Sequence, residues 1–344
     1  MRRRSFFALV LALCVLFSAA FAGERRLWAL QGKIAYFEQD GKIGLINKSG
    51  NRVLITPILD EAHPFVKDIA AARNGDKWGL IDKQGRWVFG AESLIQIAFD
   101  VGGKYGLYSP QKGYWGFINP QGQVLIDPAP YAFAGIMSEG MFAAGNDQGC
   151  GYVDFNGVVA IPFEYEEALP FSHGLAAVRK DGKWGYINKQ GEMALPFVYA
   201  EAGTFGQALA PVKMAEGDPT VYIDSEGKIR LEGKWDWGGD FTADKLAKVR
   251  IEGKYGYINA KGKVVISARH EDAQDFFDGR AGVTRDGEVW VVVNTKGKVI
   301  SKNYTAVKPY AGGFTFVSYM DTQTKEQISG YIGKNGVMLC EQMP

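Results

Sequence analysis

Short runs of alternating apolar and polar residues recur along the chain, each closed by a turn dipeptide or a glycine. Leu175-Ala176-Ala177-Val178-Arg179-Lys180 leads into Asp181-Gly182-Lys183, then Trp184-Gly185-Tyr186-Ile187, then Asn188-Lys189-Gln190-Gly191. Alternation of period two predicts strands, and Asp-Gly favours a type I′ hairpin turn because both central positions take positive φ. The Asn-x-x-Gly that follows predicts a second tight turn. Its Asn accepts backbone N–H bonds and its Gly takes the left-handed conformation of a G1 bulge. A third strand, as in Val158-Val159-Ala160-Ile161-Pro162, completes a meander.

This pattern is written nine times. The phrase occurs at 43–50, 78–85, 115–122, 150–157, 184–191, 220–227, 255–262, 290–297 and 329–336. Its closing glycines, at 50, 85, 122, 157, 191, 227, 262, 297 and 336, lie 35, 37, 35, 34, 36, 35, 35 and 39 residues apart. Between the third strand and the next first strand lies a connector with an Ala, an aromatic three residues on, and Gly or Asp three further. Ala62/Phe65/Asp68, Ala168/Phe171/Gly174 and Ala273/Phe276/Gly279 show it, and Phe205, Phe241 and Tyr310 take the same aromatic slot, where the ring is expected to plug the seam between units.

A three-stranded sheet of this size is marginal alone, so stability must come from stacking the units. The expected fold is all-β: about nine three-stranded antiparallel meanders in an open, curved solenoid-like stack, with a closed β-propeller as the alternative. Propeller blades usually have four strands over ~40–45 residues and number four to eight, which fits these units poorly. Ile43 and Ser329 replace Trp in the first and last copies, as in capping units.

The phrase Trp-Gly-[Leu/Phe/Tyr]-Ile-[Asn/Asp]-x-x-Gly, preceded by Lys77, Tyr114 or Lys183, resembles the bacterial WG-repeat (KWG-repeat) family across nearly all of residues 27–344. It is degenerate where Cys150, Thr220, Tyr255 and Ser329 replace the Trp, and where Val221 and Val291 replace the Gly. The resemblance implies a β-rich repeat domain, often exported, and supplies no catalytic residue.

Composition places the chain in a compartment. Arg2 to Arg4, an apolar run from Phe6 to Phe17 and Ala20-Phe21-Ala22 read as a secretory signal peptide over 1–22 with cleavage before Gly23, leaving a single repeat domain over 23–344. Arg3-Arg4 leaves the twin-arginine route as an alternative to the general one. The whole chain has 39 Lys+Arg against 38 Asp+Glu; cleavage leaves 36 against 38, which removes the electrostatic footprint of a nucleic-acid binder. No later apolar run reaches membrane-spanning length. The 44 glycines in 344 residues, nearly twice the usual ~7%, are accounted for largely by turns.

Candidate chemistry is sparse. Trp78, Trp115, Trp184 and Trp290 either pack between units or form an aromatic platform for sugars; Cys150 and Tyr255 in the same slot favour packing. Trp235 and Trp237 read as lying off the phrase and are the candidate ligand contacts. His63, His173 and His270 share no frame, and no metal-ligand spacing occurs, so no metal or cofactor is expected. Glu166-Glu167 and Glu271-Asp272 are the carboxylate pairs a glycosidase needs, but solvated connector charge is the simpler account. Cys150 and Cys340 are expected as free, buried thiols, since they meet only if the array closes. The expected function is an exported, non-enzymatic binding or scaffold protein presenting a repeat surface to an unidentified protein or glycan of the envelope. The alternatives are an exported carbohydrate-active hydrolase and a peptidoglycan-binding module. Connectors and the inserts at 105–114, 214–219 and 320–327 are the expected seats of specificity.

Overall fold

A computed structural model describes residues 26–31, 34–47, 52–62, 65, 68–94, 96–99, 106–111, 114–119, 121, 123–308, 315–320, 323, 325, 327–332 and 338–342. The signal-peptide segment, His63, Tyr310 and the turn glycines 50, 122 and 336 lie outside them. Every regular element among the described residues is a β-strand, and the strands form nine separate antiparallel sheets in chain order.

Both predicted kinds of turn are found among the described residues, although at Asp286-Gly287 the glycine alone has a positive φ. Asp181 and Gly182 have φ of 52° and 73°, as a type I′ turn requires, and Glu252-Gly253 repeats it. At the second turn the Asn188 Oδ1 accepts from the backbone N–H of Gln190 and Glu192, both at 3.0 Å. Asp82, Asp154, Asp224, Asn259 and Asn294 make the same pair of bonds. These side chains hold backbone donors that a tight turn leaves unpaired.

The strand count differs from the expectation. Eight sheets have four strands and one has three. Outside the first and third sheets, whose extra strands are Arg26–Gln31 and Gln96–Phe99, the extra strand is two residues of connector, such as Glu167–Ala168, which pairs with the first strand of the following meander through Glu167↔Arg179 and Ala168↔Val178. Two residues are too short for an alternating pattern to register. The segment 105–114 is no insert either: Gly106–Gln111 forms the first strand of its unit.

In the first to fifth and seventh units the second residue of the phrase sits where the third strand swerves, whereas the ninth ladder runs unbroken through Gly330. Cys150 pairs with Tyr165 and Tyr152 with Ile161, so the third strand carries two extra residues beside Gly151. The bulged backbone passes directly over the glycine.

Packing follows from strand alternation. In the fifth unit Tyr186 packs with Ala210, Val212 and Ile223 of the sixth, while its neighbour Ile187 packs with Cys150, Tyr152 and Ile161 of the fourth. The core is therefore a series of clusters, each shared by two successive sheets, with the connector aromatic in the seam: Phe65, Phe171, Phe205, Phe241 and Phe276 are all buried in this way. The buried phenols add a polar staple. Tyr152, Tyr186, Tyr222 and Tyr257 donate to the connector carbonyls of Leu169, Gly203, Gly239 and Gln274. Burial pushes the pKa of all four phenols up, so they stay protonated as donors. Tyr186→Phe leaves the Gly203 carbonyl without this donor and is expected to cost about 1–2 kcal/mol in chemical denaturation.

The array closes. Strand Met338–Gln342 of the ninth sheet lies alongside Arg26–Gln31 of the first. On the first sheet, Tyr36 and Leu45 face the second, whereas Phe37 and Ile46, 1% and 2% exposed, are buried on the opposite face. By the alternation above, that face meets a preceding unit, which ring closure supplies from the ninth. The arrangement is thus the closed propeller and not the open stack, and Ile43, 3% exposed, is a core residue, not a solvent-facing cap. Cys150 is a free, buried thiol, and burial pushes its pKa up; Cys340 lies in the closing strand, its side chain outside the described residues.

Candidate functional site

Where a unit is repeated nine times, departures from the shared pattern mark what one unit does alone. Five departures fall in or beside the sixth unit. Thr220 stands in the tryptophan slot. Trp237 pairs with Arg250 where Glu61, Glu167 and Glu201 pair with Arg73, Arg179 and Lys213. Lys248 lies opposite Tyr257 where Ala71, Ala177, Pro211 and Gly282 face their partners. Asp240 and Asp275 precede the plugging aromatic where Pro170 stands earlier in the chain. The connector from Phe241 to Leu246 is one residue longer than that from Phe171 to Leu175, and Asp244 lies in it.

The fold brings these positions together. A pocket of about 300 Å³ is lined by Thr220, Trp237, Gly238 and Asp240, and an open pocket of about 770 Å³ by Asp244, Lys248 and Phe277; Thr242 and Asp275 line both. The small Thr in place of an indole leaves space on one side. Gly238 adds to it: a Cβ there falls 2.7 Å from the Tyr222 hydroxyl.

Lys248 is the cation of the larger pocket. Its Nζ donates to the Ala273 carbonyl at 3.0 Å, pairs with Asp275 at 3.5 Å and lies 5.6 and 5.7 Å from the ring centres of Trp237 and Tyr255. Asp240 accepts from the backbone N–H of Thr204 at 3.0 Å and from its hydroxyl. Burial pushes the Asp240 pKa up and the Asp275 charge adds to the rise, against the opposing pull of the Thr204 bonds. Asp244 Oδ1 accepts from the Gly279 N–H of the next unit at 2.8 Å. Three oxygens of these two linings, Thr220 Oγ1, Asp244 Oδ2 and Gln274 Oε1, are buried with no hydrogen-bond partner among the described residues.

The two candidate tryptophans separate. Trp237 belongs to the cleft and is half-buried. Trp235 is 4% exposed and packs edge-on against Tyr222, with ring centres 5.6 Å apart, so it is a core residue. It is also not off the phrase. It follows Thr220 by fifteen residues, as Tyr165 follows Cys150, Tyr199 follows Trp184 and His270 follows Tyr255, and the two ends of each interval pair across strands or, for Thr220, by a backbone bond. The acids of the cleft escape sequence reading because single Asp residues in connectors look like ordinary turn formers. Alignment of the nine units against one another would have singled them out.

The other candidates take structural places. Glu166 and Glu167 share Arg179, at 3.3 and 2.6 Å, and Glu166 also accepts from the Gly182 turn; Glu271 pairs with Lys254. Trp184 is buried in the seam between the fifth and sixth units, and Trp78, Trp115 and Trp290 are half-buried against neighbouring cores. His173 is exposed and His270 is buried, far apart in the chain. Among the described residues no three His, Cys, Asp or Glu side chains are grouped to hold a metal ion.

The chain is similar in fold to solved structures of low sequence identity. A eukaryotic initiation factor structure matches with a TM-score of 0.58 at 13% identity, covering 91% of this chain and 96% of that one. BamB from Moraxella catarrhalis matches with a TM-score of 0.48 at 12% identity, over 79% and 95% of the two chains. The Pan2 WD40 domain of Neurospora crassa matches at 0.39 and 12%, over 72% and 91%. No curated protein sequence matches. The model of the WG containing repeat matches residues 43–78, 115–148, 151–184, 184–216, 222–255 and 255–288, more than half of the chain. With the Trp-Gly phrase, its turn and its bulged third strand all in place, the chain belongs to the family of WG-containing repeat proteins.

Proposed function

We propose that the protein is an exported, non-enzymatic binding scaffold, periplasmic or secreted, which uses the cleft of the sixth and seventh units to hold a protein or glycan of the cell envelope. The observation that carries this reading is convergence: Thr220, Trp237, Asp240, Asp244, Lys248 and Asp275 each depart from the repeat, and all line two adjoining pockets that share Thr242 and Asp275. A repeat whose other units are kept for packing gains a specific site where the packing residues give way. Export is supported by the arginine-led apolar segment over 1–22.

The hydrolase reading has one observation in its favour, the raised proton affinity of Asp240 beside Asp275. Against it, both Asp240 oxygens are engaged by Thr204, which leaves the proton poorly placed for a leaving group. Capture of envelope extract on the full chain, expressed with its own leader, tests the binding reading. Trp237→Ala is expected to lose the captured species at least tenfold while Trp78→Ala keeps it, and the exported chain is expected to begin at Gly23. Equal capture by the Trp237 variant and the parent would sink the assignment of the cleft.

A further inference from the structure

We propose that the cleft recognises a primary ammonium group, carried by a small organic molecule such as an amino sugar or an aliphatic diamine. The inference rests on the binding reading above and names the chemistry of its ligand.

Charge is the first argument. Five carboxylates line the two pockets, from Glu201, Asp240, Asp244, Asp275 and Asp278, against the ammonium groups of Lys213 and Lys248. Glu201 is paired with Lys213 at 2.9 Å, Asp275 with Lys248 at 3.5 Å and Asp278 with Arg280 at 3.8 Å. Among the described residues no cation pairs with Asp240 or Asp244. An anionic ligand is repelled from such a wall, and a neutral one leaves two partly buried acids uncompensated.

Hydrogen bonding is the second and is independent of the first. Thr220 is 2% exposed, lines the smaller pocket, and its Oγ1 has no partner. Asp244 Oδ2 and Gln274 Oε1, on the larger pocket, are likewise buried without a donor. Two of these oxygens are acceptors only and the third is able to accept. What matches them is a group with several N–H donors and no acceptor, which describes an ammonium. A buried polar atom without a partner is costly, so the two on the larger pocket and the one on the smaller mark where donors belong.

The wall itself supplies the third argument. Lys248 lays its own ammonium against Trp237 and Tyr255, within reach of Asp275 and a backbone carbonyl. Aromatic faces and carboxylates together form the environment that stabilises such a cation. A metal ion in the same place lacks its ligand set, because no three ligating side chains are grouped among the described residues.

Titration calorimetry of the full chain with glucosamine, N-acetylglucosamine and 1,5-diaminopentane tests the proposal. At least one amine is expected to bind with a dissociation constant in the millimolar range or tighter. Glucosamine binding alone identifies an amino sugar, the diamine alone an aliphatic amine, and both the shared ammonium. N-acetylglucosamine, whose nitrogen carries no charge, is expected to bind about tenfold more weakly or worse than glucosamine, or more weakly than the diamine where that is the ligand. Asp244→Asn keeps an acceptor for Gly279 while removing the charge; it is expected to weaken the amine about tenfold with an unchanged melting temperature. The proposal is overturned if neither amine binds, if the acetylated sugar binds as well as the amines, or if a folded Asp244→Asn chain keeps full affinity. Silence toward both amines, with envelope capture still lost in Trp237→Ala, rejects the ammonium and leaves the binding cleft standing.

Discussion

Gly151→Ala is expected to destabilise the protein by about 3 kcal/mol or more, read as a lowered melting temperature and denaturant midpoint. A Cβ at this position meets the Ile161 carbonyl oxygen at 2.5 Å, the Pro162 carbonyl oxygen at 2.6 Å and the Pro162 carbonyl carbon at 2.7 Å. All three atoms are backbone, so no rotamer change relieves the contact. Relief requires the bulged third strand to lift off, which opens the core shared by the fourth and fifth sheets. Gly79, Gly116 and Gly256 meet third-strand backbone at 2.9, 2.6 and 2.6 Å, so the constraint belongs to the fold and not to one unit. The units that lack the glycine bear this out in reverse. Val221 and Val291 occupy the slot in the sixth and eighth units, where the third strand shrinks to Ile229–Leu231 and to the isolated bridges Val293↔Val299 and Trp290↔Tyr304. Gly217→Ala is the control: φ is +84° with nothing near the added Cβ, so only the left-handed strain of about 1–2 kcal/mol is paid. Equal losses for the two variants would show that the close backbone passage is not what the phrase glycine serves.

His270→Tyr is expected to flatten the acid side of the stability profile. His270 is 3% exposed, neither ring nitrogen has a hydrogen-bond partner, and it fills the slot held by Tyr165 and Tyr199 in other units. Burial pulls its pKa down to about 4 from an ordinary 6.5, with the charges of Arg269 and Arg285 acting in the same direction. The folded protein therefore holds its imidazole neutral where the unfolded chain takes up a proton. Stability from this group is complete above about pH 6.5, falls as the pH drops toward 4, and changes no further below that. The fall is about 3 kcal/mol. Tyr carries no charge in this range, so urea unfolding at pH 7 and pH 4 is expected to show the gap between variant and parent widening by that amount. Parallel profiles would mean that the buried imidazole is protonated as readily as in the unfolded chain.

The residues that were easy to read in sequence are those whose physical demand is local. Asn188 and Asp154 satisfy donors two and four residues away, and Gly191 supplies a left-handed φ of 80°, so spacing alone reveals them. The two-residue Glu-Ala strands were not legible, because their pairing with the next meander is fixed by the seam aromatic and by pairs such as Glu167 with Arg179. Ring closure was hidden for a related reason: the buried faces of Phe37 and Ile46 read like any strand interior, and the contact of Arg26–Gln31 with Met338–Gln342 joins the two ends of the chain and leaves no local mark in sequence. The cleft was half legible. Trp237 stands out as an unusual residue, whereas Asp240, Asp244 and Lys248 matter through neighbours 27 to 35 residues away, such as Asp275 and Gly279.

Contact between the first and last sheets also sets how such a chain can change. A ring has no end at which a unit is added, and inserting or deleting one alters the angle at every joint, including the closing contact of Arg26–Gln31 with Met338–Gln342. Unit number is in this sense a property of the whole circle, inherited all at once. Novelty then enters by substitution within a fixed set of units, and a single worn copy such as the sixth, with Thr220 for Trp and Val221 for Gly, is where a ring of this kind has room to diversify.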